Sequence, residues 1–143
     1  FRSIEGRLSG QRVVLAKSRG FMNDTGAPVK ALADFYKVPL DRVIAIHDEL
    51  DLPFAAQRFK LGGGDNGHNG LRSMRSSLAS GDFLRVRLGI GRPPGRQDPA
   101  DFVLRPFAAA ERKELGAILE RAADAVEVLV REGLEKTQNS FQD

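Results

Sequence analysis

The chain contains no cysteine. That excludes a disulfide framework and any thiolate metal site, and it accords with an intracellular, cytoplasmic protein. No apolar run approaches the roughly 20 residues that a membrane-spanning helix needs, and no signal-peptide pattern opens the chain. No H-E-x-x-H or comparable ligand set is present, and no serine stands in a nucleophile elbow. Covalent and metal-assisted hydrolysis therefore rank low. There is no internal repeat and no domain linker. Neither sign of charge dominates, with 22 basic against 19 acidic residues and a net charge of +3. Much of the basic charge, however, is arginine gathered between Arg58 and Arg96, a pattern that suits a phosphate-bearing partner.

What is present is a chain of single-domain length, 143 residues, long enough to bury roughly two thirds of its unfolded surface. Ile4 to Arg7 and Arg12 to Ala16 read as a hairpin turning at Ser9-Gly10, with Val13, Val14 and Leu15 as a short buried strand. Residues 17–26 form a turn-rich loop, after which Thr25 is placed to cap a helix carrying Val29, Leu32, Ala33 and Tyr36. Pro39 ends that helix. Val43, Ile44, Ala45 and Ile46 are a continuous apolar run, as in a strand buried on both faces. Gln57 to Leu61 alternates, with Phe59 and Leu61 on one face and Arg58 and Lys60 on the other. Leu71 to Ala79 reads as a helix with Leu71, Met74 and Leu78 inward. Leu84 to Ile90 reads as a half-buried strand with Arg85 and Arg87 on its polar face. Ala109 to Glu132 is the longest helix, its apolar stripe running from Leu115 through Ile118, Leu119, Ala122, Val126 and Leu129 to Val130, with Gly133 past its end. Strands interleaved with helices of this kind indicate an α/β sandwich.

The chemistry concentrates between Val43 and Arg72. The apolar run ends abruptly in Asp48, Glu49 and Asp51, and in open α/β sheets ligands sit at the carboxyl ends of strands. His47 and Asp48 are neighbours on a strand and point to opposite faces, so they form no dyad with each other. Gly62 to Gly67 matches G-x-G-x-x-G between a strand and a helix, yet about twenty residues on stand Arg85, Val86 and Arg87, with no acid for a ribose. A dinucleotide site is rejected; what remains is a glycine wall whose backbone can approach a substrate closely. Asn69 reads either as a helix cap or as a substrate ligand, Asn23 as a turn residue or a ligand, and His68 as a structural hydrogen-bonder or a general base. Two carboxamides beside an acid could hold a carbonyl oxygen and a water together.

FMNDTG (Phe21 to Gly26), HDELDLP (His47 to Pro53) and KLGGGDNGHNGLRS (Lys60 to Ser73) resemble the signatures of bacterial peptidyl-tRNA hydrolases. RVRLGIGRPPG (Arg85 to Gly95) and DFVL (Asp101 to Leu104) extend the likeness in the same order, over essentially the whole chain. The resemblance implies a three-layer α/β/α sandwich around a twisted mixed sheet, phosphorylase/hydrolase-like, as one domain over residues 1–143. It implies a monomer without metal or cofactor that cleaves the ester between a peptide and the 3′ ribose of tRNA, using a histidine-activated water. The position of Asp48 would orient that histidine; Phe21, Asn23, His68 and Asn69 would form the substrate site; Arg58, Lys60 and Arg87 would grip tRNA phosphate. The family's general-base histidine has no counterpart here, so an N-terminal segment ahead of Phe1 is expected to be missing. A non-catalytic RNA-binding protein of the same fold is the second reading, and a hydrolase of some small ester the third.

Overall fold

The computed structural model describes residues 2–18, 24–92 and 104–142. Phe21 and Asn23, most of the loop 91–99 and most of DFVL lie outside them. Strands β1 (Arg2–Leu8) and β2 (Gln11–Lys17) form an antiparallel hairpin in which Leu8 pairs with Gln11 and Arg2 with Lys17. Ser9 and Gly10 both have positive φ, 51° and 79°, the signature of the type I′ turn that matches strand twist. The expected burial of Leu15 is corrected, because its side chain is 59% exposed. β1 and β2 make a two-stranded sheet of their own, and such a ribbon leaves both faces largely open.

Helix α1 (Gly26–Phe35) follows. Thr25 occupies its N-cap position but makes no side-chain cap. Its own backbone is already helical (φ −71°, ψ −32°), whereas a capping side chain requires an extended residue; its hydroxyl lies 3.4 Å from Ser18 Oγ instead. After a 3₁₀ turn at Leu40–Arg42 come β3 (Ile44–Glu49), β4 (Gln57–Leu61), α2 (Asn69–Leu78) and β5 (Leu84–Gly89).

These three strands form one sheet in the order β3-β5-β4. Leu84 N donates to Val43 O and Ile90 N to Glu49 O, so β3 and β5 run parallel. Gly62 N donates to Phe83 O and Gly89 N to Ala56 O, so β5 and β4 run antiparallel, and the sheet is mixed as expected for the α/β class. The apolar run is not buried on both faces: Ala45 is buried but Ile46 is 53% exposed, β3 being an edge strand of this sheet.

The chain divides into two compact units, residues 1–45 with 60–85 and residues 46–59 with 86–143. In the first, Ala45, Leu71, Met74 and Phe83 form the core, with Val29, Leu40, Val43 and Leu78 against them. α1 meets α2 at Gly26, whose N–H donates to Ser73 Oγ at 2.8 Å. A Cβ on Gly26 would lie 2.1 Å from Ser73 O, so the approach tolerates no side chain. Gly26→Ala is expected to cost about 1–3 kcal/mol, as overpacking does, read as a lower urea midpoint with unchanged slope.

In the second unit α3 (Ala109–Glu132) buries Ala122, Ala125 and Leu129, while Leu119 of its expected stripe is 58% exposed. Gly133, with φ 92°, ends α3 and at once begins α4 (Leu134–Phe141), a helix the sequence pattern did not announce. α4 completes β4: Gln142 Oε1 accepts from Phe59 N at 3.0 Å, and Gln138 Nε2 donates to Phe59 O at 2.9 Å. Two glutamine carboxamides thus take the peptide groups that this edge strand would otherwise leave open.

Candidate active site

The site residues fall in both units, and each group follows from its own element. In the second unit β3 carries the acids to its carboxyl end. Glu49 is 7% exposed; its Oε1 accepts from Arg87 Nε at 3.0 Å and its Oε2 from Asp51 N at 3.3 Å. Asp51 pairs in turn with Arg92 at 2.6 Å. Glu49 and Asp51 are therefore both ion-paired to arginines. Asp48 lies between the buried Glu49 and His47, itself half-buried. His47 Nδ1 is 2.7 Å from the main-chain oxygen of Asp48, so the two side chains form no dyad through that nitrogen.

Arg87 corrects the strand alternation. Its side chain is 18% exposed and faces Glu49 rather than open solvent, because a buried carboxylate requires a charged partner. Arg58 and Lys60 are half-buried on β4.

Arg85 departs further from expectation. It is 1% exposed, not on a polar face. Its guanidinium donates to Gly64 O at 2.5 Å, Gly63 O at 3.0 Å and Gly81 O at 2.8 Å, and lies 4.4 Å from the centre of the Phe83 ring. A middle strand can bury an arginine when carbonyls take its donors. Gly62 and Gly63 have φ of 76° and 97°, a region that bulkier residues enter only with strain, which lets their carbonyls turn as needed. The glycine segment thus presents carbonyls inward to a cation, which the sequence offered no sign of.

From Gly64 the loop is bonded locally. Asp65 Oδ1 accepts from Gly67 N at 3.0 Å and Asp65 O from His68 N at 2.8 Å. His68, extended at φ −75° and ψ 115°, is the N-cap of α2, its Nδ1 accepting from Leu71 N at 3.2 Å. An accepting Nδ1 carries no proton, so the ring proton sits on Nε2. Capping was one of the two readings of Asn69; the structure gives the cap to His68. Asn69, the first helical residue, is exposed, and its carboxamide makes no hydrogen bond among the described residues. It opens onto a polar cavity of about 590 Å³ lined also by Asp24, Arg72, Ser73, Ser76 and Ser77. Among the described residues no three His, Asp or Glu side chains are close enough to share a metal ion.

The fold is that of an α/β protein with a mixed sheet, with acids at the end of β3 in one unit and an exposed carboxamide beside a cavity in the other. The comparisons narrow it. The family model for peptidyl-tRNA hydrolase matches residues 2–143. A peptidyl-tRNA hydrolase of Nocardia farcinica is 64% identical over 138 residues, spanning 96% of this chain and 72% of that protein. That of Mycolicibacterium smegmatis is 57% identical over 137 residues, with 96% and 72% covered. The crystal structure of peptidyl-tRNA hydrolase from Acinetobacter baumannii superposes with a TM-score of 0.86 at 30% identity, covering 98% of this chain and 72% of that one. The chain belongs to the peptidyl-tRNA hydrolase family.

Proposed function

We propose that the protein hydrolyses peptidyl-tRNA, or tRNA bearing an N-blocked aminoacyl group, and returns free tRNA to translation. The observation that carries this reading is the family match across residues 2–143, a range that includes the strand-end acid and the glycine–histidine–asparagine turn. A water attacks the ester carbonyl carbon, the bond to the 3′ ribose oxygen breaks, and the proton taken from water goes to that oxygen. A histidine imidazole acts as the base, and Asp48 accepts its other N–H, holding the tautomer and stabilising the imidazolium. Asn69, with Asn23 and Phe21, holds the acylated 3′ end. His68 serves the substrate indirectly, by fixing the start of α2. No metal or cofactor takes part. The protein acts as a monomer in the cytoplasm; no described helix is long and apolar enough to cross a membrane.

Ester loss from N-acetylated aminoacyl-tRNA, measured on the full-length protein, tests the reading. Cleavage is expected, whereas salt-sensitive binding without cleavage would make the protein an RNA-binding relative. Arg58 and Lys60 supply phosphate contacts. Replacing both with glutamine is expected to flatten the plot of log K against log salt by about 1.4–1.8, at roughly 0.7–0.9 per phosphate. Arg87 is already neutralised by Glu49, so its replacement should change that slope less.

A further inference from the structure

We infer that Arg85 is a positioning residue for Asn69, acting through the glycine turn; the inference rests on the substrate role proposed for Asn69. The guanidinium ties two consecutive carbonyls of the turn, Gly63 and Gly64, to a third at Gly81. It sits over the Phe83 ring, and Phe83 is itself fully buried. The turn is anchored again at Gly62, whose N–H donates to Phe83 O at 2.9 Å. Between that anchorage and Asn69 lie four residues, 65–68, linked by the Asp65 and His68 bonds described above. Leu71 and Met74 hold the body of α2 in the core. Its first residue, by contrast, takes its place from the turn. A buried planar fork whose two Nη groups are bonded to three carbonyls is a rigid joint, because each lost bond leaves a buried polar group without its partner.

The geometry makes two demands on any replacement. It must keep a charge, and it must reach three acceptors in one plane. Lysine meets only the first. In the full-length protein Arg85→Lys is expected to lower kcat/KM for N-acetylated aminoacyl-tRNA about 10²-fold, the cost of misplacing a binding group by about 1 Å. Affinity for deacylated tRNA and its salt slope should stay unchanged. Amide exchange should accelerate over residues 63–69 and not at Phe59 or Val86.

The deciding measurement is a double-mutant cycle with Asn69→Ala. If Arg85 acts through Asn69, Arg85→Lys costs far less once the carboxamide is gone. Additive losses, exchange accelerated throughout the core, or unchanged kcat/KM would each overturn the assignment. Gly81→Ala disturbs the same joint without removing the charge, since its Cβ would come 3.1 Å from Gly63 O and 3.2 Å from Arg85 Nη2. It should show the same coupling to Asn69, and it decides the matter if Arg85→Lys does not fold. Should Asn69→Ala leave turnover intact, the substrate role and this inference fall together. Should it lower turnover while the cycle is additive, the Arg85 assignment alone falls.

Discussion

Asp48→Asn is expected to lower kcat by about 10⁴, the cost of leaving a catalytic imidazole in the wrong tautomer. The likeness to the family and the position at the end of β3 lead to this residue. Glu49 is occupied by Arg87 and by the main chain of Asp51, and Asp51 by Arg92. Those two acids hold the strand end together, and removing either would damage structure before chemistry. Asparagine has the shape of Asp48 and can still accept a hydrogen bond, but it cannot balance an imidazolium. The variant should therefore unfold at the wild-type temperature and bind deacylated tRNA normally, with the loss confined to the chemical step. Single-turnover cleavage of N-acetylated aminoacyl-tRNA measures it, and near-normal turnover would remove Asp48 from the mechanism.

Asn69→Ala is expected to lower kcat by about 10²–10³, as loss of one preorganised donor at a reacting carbonyl does. Its second expected result separates function from folding. An asparagine that capped α2 would cost about 0.5–2 kcal/mol on replacement. Here His68 makes the cap, through Nδ1 and Leu71 N, and the Asn69 side chain is exposed. Asn69→Ala should change stability by less than about 0.5 kcal/mol, as surface substitutions usually do. His68→Ala should lower stability by the cost of a cap and, by loosening the start of α2 on which Asn69 sits, lower turnover as well. Urea unfolding and steady-state hydrolysis of both variants give the comparison. A destabilised but active Asn69→Ala would return that residue to a structural role.

Several local features could be read directly from residue order. The Ser9-Gly10 turn, the inward face of α2 at Leu71 and Met74, and the extent of α3 all follow from short-range rules of turn geometry and periodicity. Features that depend on long-range partners could not be read this way. Alternation put Arg85 and Arg87 on a wet face, since period two states which residues share a side and not what covers it. α4 went unseen because it begins at the very glycine that ends α3, and a glycine ordinarily reads as a stop.

Residue types and their order were enough to indicate an α/β protein, and to bring an acid, a glycine turn and a carboxamide into one short span. Assigning work to each of them needed the folded chain. Whether a polar side chain meets solvent, a counter-charge or a carbonyl depends on segments distant in sequence. Burial then sets the cost of leaving it unpaired, which is why Glu49, Arg85 and His68 belong to the framework. Asn69 leaves its carboxamide exposed because its neighbour caps the helix.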